Sequence, residues 1–341
     1  MADSLLMIKA DEILEKIEDG KPVEYENIII FGDLDLARLD LPLDKDNNKI
    51  IKSIIKIEYS EIKGDVFFDR STFSKLVDFD GSTFNKAANF SDSLFMEDAG
   101  FSSAKFMGEA KFSRAHFITE ANFSRARFNG DAEFGSAKFH KHLNLDSAKI
   151  YTMRLSDAAF EDGSSLNLVD LDFNRIVVRW DSIKDHLPYN GSVYLALIKN
   201  FKNLEQFEDG DECYYKYRRE KQARSTSKVS KSLDHLAFIS CGYGVRPSHT
   251  IILSITIILL FTSILWVSNA IKFEGPSLQE NQTPSISAKD AFYFSSMEFL
   301  GRSPQNLHIL GAYEYLTVIE TLMGWILMAL FLVTLSKVML R

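Results

Sequence analysis

A series of phenylalanines with an unusual spacing runs through the first half of this 341-residue chain. Successive intervals alternate between five and six residues, and a small or apolar residue lies two positions before each central residue. Neither the 3.6-residue period of a helix nor the 2-residue period of a strand explains this alternation, whereas a chain that turns a corner every five or six residues does. The sixteen central positions are Phe68, Phe73, Phe79, Phe84, Phe90, Phe95, Phe101, Phe106, Phe112, Phe117, Phe123, Phe128, Phe134, Phe139, Leu145 and Ile150.

This pattern resembles that of the pentapeptide-repeat proteins. The resemblance implies a right-handed quadrilateral β-solenoid in which the central residue and the small residue two positions before it point inward. Four sides make one coil of 22 residues, so the sixteen units make four coils, and the sixth residue of each longer unit is expected at a corner. The same spacing of central residues appears earlier in the chain, at Ile30 and Leu36, and becomes less regular after Ile150. We therefore assign residues 23–180 to the solenoid, with a polar loop at residues 44–48.

The segments on either side of the solenoid have helical patterns. Residues 1–22 predict a helical cap, because apolar residues recur at helical spacing from Met7 to Glu18 and Gly20 follows. Residues 181–246 predict a helical linker, with a helical hairpin that breaks at Asp209-Gly-Asp and a glycine-containing elbow just before Pro247. The basic end of the hairpin fits either a solvated helix end or a segment attracted to anionic headgroups.

Two apolar runs lie near the C-terminus. Residues 251–271 contain no charge, and residues 315–335 contain only Glu320. Each run of 21 residues is long enough to cross a bilayer core of about 30 Å at about 1.5 Å per residue. The sequence therefore predicts an all-α, two-transmembrane domain over residues 247–341, with spans at about 249–271 and 315–338.

The distribution of basic residues predicts the orientation of these spans. Seven Lys or Arg lie in residues 216–231, and Arg246, Lys337 and Arg341 also flank the runs. The segment between the runs has only three. The positive-inside rule then places both termini in the cytoplasm, in a multi-pass protein of the cell membrane. The chain does not open with a basic segment followed by an apolar run, so no signal peptide is expected and the solenoid should be cytosolic.

A short amphipathic segment lies between the two runs. Ser287 and Asp290 form a capping-box pattern before an apolar stretch that ends at Gly301, which predicts a helix over about residues 288–300. This helix is too short to span. It fits either a re-entrant pore helix, whose ends protein or water covers at membrane depth, or an interfacial helix on the outer surface.

Two spans around Asp290-Ala-Phe-Tyr-Phe-Ser295, with Glu320-Thr-Leu-Met-Gly324 in the second span, resemble the two-transmembrane, potassium-channel-like ion channel family. The resemblance covers roughly residues 247–341 and implies an outer helix, a pore helix and an inner helix in a homotetramer. That family usually carries Thr-x-Gly-Tyr-Gly-Asp after the pore helix. This chain instead has Glu298-Phe-Leu-Gly-Arg-Ser-Pro304, so the filter is atypical.

The resemblance also places the candidate site residues. Glu298 fits either a ring of carboxylates near the ion path or a position behind the filter, hydrogen-bonded to backbone. Gly324 fits either a bending point of the inner helix or a site of close helix packing, and Glu320 is expected to support the pore helix. Arg302 is expected to turn aside and pair with an acidic group such as Glu298. The candidate pore and filter residues are Glu298, Phe299, Leu300, Gly301, Arg302 and Ser303.

These features predict a tetrameric cation channel whose cytosolic solenoid serves assembly or gating. The alternative is a non-conducting, membrane-anchored scaffold whose solenoid binds a protein partner. No nucleotide loop, nucleophile elbow or zinc-spaced Cys and His set is present, and His140 and His142 are expected at the surface, so we expect no enzyme activity and no cofactor. The expected partners are other copies of the chain, the lipid bilayer, permeant monovalent or divalent cations and a cytosolic protein ligand. A net charge of −8, with 13 acidic and 12 basic residues over positions 61–150, argues against a nucleic-acid partner.

Overall fold

The computed structural model describes residues 6–273 and 286–339 and divides the chain into two compact units, Met1–Tyr214 and Tyr215–Arg341. Three parts of the sequence-based predictions lie outside the described residues. They are the first five residues of the helical cap, residues 274–285 between the apolar runs, and the C-terminal residues 340–341, which include the basic Arg341.

Most of the first unit is a β-solenoid of short parallel strands. One ladder alone stacks eight strands, so the solenoid has about eight turns. The strands are β1 (Leu6–Lys9), β2 (Val23–Glu26), β3 (Ile28–Phe31), β4 (Leu34–Asp35), β5 (Lys49–Ile51), β6 (Ile55–Glu58), β7 (Glu61–Ile62), β8 (Val66–Phe67), β9 (Ser71–Phe73), β10 (Val77–Asp78), β11 (Thr83–Phe84), β12 (Ala88–Asn89), β13 (Leu94–Phe95), β14 (Ala99–Gly100), β15 (Lys105–Phe106), β16 (Ala110–Lys111), β17 (His116–Phe117), β18 (Ala121–Asn122), β19 (Arg127–Glu133), β20 (Lys138–Phe139), β21 (His142–Asn144), β22 (Lys149–Arg154), β23 (Ala159–Phe160), β24 (Ser165–Asn167) and β25 (Asp172–Val177).

The register of the strands confirms the predicted coil length. Strands β10, β11, β12 and β13 pair in parallel with β14, β15, β16 and β17, and Phe84 lies opposite Phe106. Each partner is 22 residues further along the chain, so one regular coil contributes four strands.

The core consists of the residues that the spacing selected. All sixteen central positions, and all sixteen positions two residues before them, are at most 3% exposed. Rings of successive coils stack: the centroids of Phe84 and Phe106 are 4.7 Å apart with an interplanar angle of 3°, and those of Phe106 and Phe128 are 4.6 Å apart at 7°. The predicted inward orientation is therefore confirmed.

The corners differ from the prediction in one respect. Backbone φ is positive at residues spaced by eleven, such as Asp92, Ser103 and Arg114, and these lie in the five-residue steps. At one of these corners the Ala104 N–H donates to the carbonyl of Phe101 (3.1 Å), which closes a β-turn around Ser103. The six-residue steps also turn, but without a left-handed residue, so the tightest corners belong to the shorter units.

The N-terminal end begins with a strand rather than a helix. Leu6–Lys9 form β1 and pair in parallel with β3, so helix α1 (Ala10–Glu18) begins three residues later than predicted. Gly20, with φ +68°, follows α1 as the sequence predicted. The polar loop at residues 44–48 is also present, and a hydrogen bond from Thr72 lowers the pKa of its Asp44.

Three helices follow the last coil: α2 (Trp180–Ile183), α3 (Gly191–Asn203) and α4 (Phe207–Arg224). The predicted break at Asp209 is wrong, because the chain turns at Glu205, with φ +58°, and Asp209 lies inside α4. The Asp209 carboxylate accepts the backbone N–H of Trp180 (3.0 Å) and pairs with Arg179 (3.0 Å). An acidic group in the first turn of a helix is favourable, so Asp209 begins α4 rather than ending α3.

The second unit contains helices α5 (Lys228–Cys241), α6 (Pro247–Val267), α7 (Ala288–Phe299) and α8 (Glu314–Met339). Helix α5 was not predicted. The first apolar helix ends at Val267 rather than at residue 271, because strand β26 (Ile271–Phe273) pairs antiparallel with β27 (Leu307–Ile309). The C-terminal region is therefore not purely helical. Short 3₁₀ turns lie at Leu36–Arg38, Gly242–Gly244 and Gly311–Tyr313.

Candidate functional site

Helix α7 is packed along its length between α6 and α8. Near its N-terminal end, Ala291 and Phe294 are buried in an apolar cluster with Leu265 of α6 and Leu307. Near its C-terminal end, Phe299 lies in a second cluster. That cluster also contains Ile257, Phe261 and Leu327. Both flanking helices therefore position α7.

Both ends of α7 are capped by hydrogen bonds. At the N-terminus, Ser287 and Asp290 form the predicted capping box. At the C-terminus, the N–H of Gly301 donates to the Glu298 carbonyl (2.9 Å) and the N–H of Arg302 donates to the Met297 carbonyl (2.9 Å). This is a Schellman motif, and the φ of +74° at Gly301 fits it. The prediction of a three-turn helix that ends at a glycine is confirmed.

Two glycines allow the end of α7 to approach α8 closely. A Cβ atom at Gly324 would lie 2.0 Å from the carbonyl oxygen of Phe299, which the packing cannot accommodate. A Cβ atom at Gly301 would lie 2.6 Å from Nε1 of Trp325. Gly324 is therefore at a point of close helix contact inside the continuous helix α8. Its role as a bending point stays a prediction.

Glu320 lies at the junction of the three helices and is fully buried. Its Oε1 accepts a hydrogen bond from the Ser295 hydroxyl of α7, and the same hydroxyl lies 3.0 Å from the Ile258 carbonyl of α6. The other carboxyl oxygen, Oε2, has no hydrogen-bond partner among the described residues. Glu320 thus contacts the helix that it was expected to support.

Glu298 lines a cavity of about 430 Å³. Thr317, Thr321 and Trp325 of α8 also line this cavity, together with His308. The Thr321 hydroxyl donates to the Glu298 backbone carbonyl (2.9 Å). Among the described residues the Glu298 carboxylate makes no hydrogen bond and no ion pair, so the carboxylate is available to this cavity.

The remaining candidate filter residues follow the end of α7. Leu300, Gly301, Arg302 and Ser303 are all exposed in the single chain. The expected Glu298–Arg302 pair is absent, and Arg302 forms no ion pair with any residue in the part of the chain that the structure describes. Arg302 lines a different cavity from the one that Glu298 lines, and Asp290 also lines that second cavity.

Sequence reasoning missed three of the residues that hold this arrangement. They are Ser295, Thr321 and Trp325, which contact Glu320, the Glu298 carbonyl and Gly301 respectively. A signal was present for α8, since four polar or small residues recur at i, i+3, i+4 and i+7 on an apolar helix. They are Thr317, Glu320, Thr321 and Gly324.

Helices α6 and α8 are long and apolar enough to cross a membrane. They have 21 and 26 residues, with mean hydropathies of 2.5 and 2.1 over their most apolar stretches of 18 residues. Only 28% and 22% of these two stretches are buried within the chain. Large side chains in them are about half exposed or more, as at Ile252, Leu260, Trp325 and Val333.

Comparison with known proteins identifies the repeat region. A family model described as pentapeptide repeats, in nine copies, matches residues 57–105 and 101–149. The solenoid and this match together support the repeat domain. No curated protein and no solved structure matches the chain. Within residues 6–273 and 286–339, no group of His, Cys, Asp or Glu is arranged to hold a metal ion, and neither Cys213 nor Cys241 is in a disulfide.

Proposed function

We propose that the chain is the subunit of a homotetrameric cation channel in a cell membrane. In this proposal α6 is the outer helix, α7 a re-entrant pore helix and α8 the inner helix that lines the axis. The solenoid, with a right-handed quadrilateral coil suggested by its four strands per turn, lies in the cytosol with both termini and serves assembly or gating. The observation that carries the proposal is a short, doubly capped helix packed between two long apolar helices.

The exposed apolar surfaces of α6 and α8 support a membrane location. A core helix of a soluble protein would have most of its large side chains buried, whereas about three quarters of each apolar stretch here is not. At about 1.5 Å per residue, the 21 residues of α6 extend about 32 Å, which matches a bilayer core of about 30 Å. Lipid or other copies of the chain would cover these surfaces.

The packing of α7 supports a pore helix over an interfacial helix. A non-spanning helix at membrane depth must have its end groups covered, because no water satisfies them there. The capping box, the Schellman motif and the Thr321 hydroxyl provide partners at both ends of α7. An interfacial helix would not need the close approach that Gly324 permits.

The charges at the end of α7 favour cations. The C-terminal end of a helix carries a partial negative charge, and Glu298 is the penultimate residue of α7, within its last turn. Four copies would bring four such ends and four carboxylates around one axis. The segment Gly301-Arg302-Ser303-Pro304 cannot supply a row of filter carbonyls like that of potassium channels, because Pro304 fixes its own φ and restricts Ser303. We therefore expect little preference between sodium and potassium.

The alternative is a non-conducting membrane anchor for a solenoid that binds a cytosolic protein. The exposure of Arg302 favours this alternative, since four guanidinium groups facing an axis would repel cations. The two functions differ in what the C-terminal helices must do. A channel requires them to assemble, whereas an anchor does not.

The mass of the purified protein in detergent tests assembly, and single-channel recording in bilayers tests conduction. We expect a tetramer that persists when residues 1–180 are removed, because two helices of one chain cannot enclose a pore. Glu298→Gln should lower the single-channel conductance, whereas Glu314→Gln, at an exposed position on α8, should change it less. A monomer, or an oligomer that the solenoid alone maintains, would contradict the proposal.

A further inference from the structure

Helix α5 has an exposed apolar stripe that no part of the described chain covers. Val229, Leu233, Leu236 and Ile239 are 71%, 63%, 64% and 41% exposed. Their spacing of i, i+4, i+7 and i+10 places them along one side of the helix. Exposed aliphatic residues are common singly, but four in one row indicate a surface that another apolar phase contacts.

The opposite side of α5 is fixed within the same unit. The carboxylate of Asp234 pairs with Arg218 of α4, and the ring of Phe238 packs against Tyr215, Tyr243 and His249. These contacts bury one face of α5 and set its rotation. The apolar stripe is therefore exposed by the fold and not by a loosely placed helix.

Two contacts join α5 to the first turn of α6. The Thr250 hydroxyl donates to the Ser240 carbonyl (2.7 Å), and Nδ1 of His249 lies 2.9 Å from the Phe238 carbonyl oxygen. Between the helices, Gly242 and Gly244 have positive φ and turn the chain. If α6 crosses the bilayer, these bonds hold α5 at the level of the membrane surface.

The third side of α5 is basic. Lys228 borders the stripe and Lys231 lies further around the helix, and neither forms an ion pair among the described residues. Residues 215–246 contain eight Lys or Arg and two Asp or Glu, which gives this segment a net charge of +6 in a chain whose total is −8. A basic segment next to a membrane attracts anionic headgroups.

We infer that α5 lies in the surface of the bilayer, with its apolar stripe at the acyl boundary and its lysines against anionic phospholipid headgroups. A helix with an apolar face and a Lys-rich polar face binds a lipid surface in this way. A second copy would bring another +6 segment against this one, whereas anionic lipid neutralises the charge. The inference rests on α6 crossing the membrane and does not require the pore to conduct.

Collision accessibility of spin labels on the full-length chain tests this inference. Single cysteines are introduced by Leu233→Cys, Leu236→Cys or, as the matched control on the same helix, Lys231→Cys, in a background of Cys213→Ser and Cys241→Ser. The labelled protein is reconstituted in vesicles of phosphatidylcholine with phosphatidylserine. We expect labels at 233 and 236 to be several-fold more accessible to oxygen than to a water-soluble nickel complex. The label at 231 should show the reverse.

Two results would overturn the inference. Equal nickel accessibility at all three positions would mean that the stripe faces water, and protection of 233 and 236 from both reagents would mean that protein covers it. The anionic lipid is tested separately with the pair Lys228→Gln and Lys231→Gln, read from the label at 236. We expect these changes to move the label towards water in anionic vesicles but not in pure phosphatidylcholine, and an equal effect in both would refute headgroup recognition. Bilayer currents recorded on the same protein report separately on the channel.

Discussion

Replacing Phe106 with alanine should destabilise the solenoid strongly. The ring is 1% exposed and lies between Phe84 and Phe128, with centroid distances of 4.7 and 4.6 Å. It also makes an edge contact with Phe112 at 6.2 Å. Removing a buried phenylalanine costs about 3–5 kcal/mol, and each aromatic pair adds about 0.5–1.5 kcal/mol beyond burial. We therefore expect a loss in the upper half of the range of about 3–5 kcal/mol.

Urea denaturation of residues 1–214, the first compact unit, measures this loss by circular dichroism. The matched control is Met107→Ala on the adjacent residue, which is 49% exposed on the outside of the same coil. The control should change the free energy of unfolding by less than about 0.5 kcal/mol, as surface substitutions usually do. A loss below about 1 kcal/mol for Phe106→Ala would refute the stacked-core account.

Three further substitutions test other parts of the structure. Burial, and then the charge of a neighbouring aspartate, raise the pKa of Asp80 to about 6, so its ionisation costs stability as pH rises from about 4 to 6. In urea denaturation, Asp80→Asn should stabilise the solenoid by about 1 kcal/mol at pH 8, after allowance for partial exposure, and should have no effect at pH 3. The control for the lost charge is Asp146→Asn at the equivalent position three coils later. A gain in stability that does not vary with pH would contradict the raised pKa of Asp80. Gly324→Ala should lower the free energy of unfolding of the full chain in detergent by about 1–3 kcal/mol, because the added Cβ would overlap the Phe299 carbonyl. An unchanged free energy of unfolding would instead favour a bending role for Gly324. Ser103→Gly should stabilise residues 1–214 by about 0.5–1 kcal/mol, because φ is +57° there, and a loss of stability would show that the corner carries no strain.

The sequence predicted the solenoid core because that core is periodic. Every 22-residue coil repeats the same inward positions, so the sequence shows the same signal many times. The corners were harder to predict, because residues such as Arg125 and Ser136 adopt positive φ although neither is a glycine. Strand pairing on both sides imposes that conformation, and local preference does not reveal it.

In the C-terminal unit, the sequence predicted correctly only those features that neighbouring residues determine. The capping box and Gly301 set the ends of α7, and both can be read from neighbouring residues. The end of α6 was predicted four residues too late, because an apolar run cannot show that Ile271–Phe273 leave the helix to pair with Leu307–Ile309. The absence of a Glu298–Arg302 pair likewise depends on tertiary geometry.

The reversal potential of the full-length chain in a planar bilayer, under sodium, potassium and chloride gradients, tests the channel proposal most directly. The account predicts currents that reverse near the cation potentials, with sodium and potassium almost equally permeant. Reversal at the chloride potential, or a preference for potassium above about tenfold, which corresponds to about 1.4 kcal/mol, would contradict the proposed filter. The absence of current under every gradient would contradict the channel and favour the membrane-anchored scaffold.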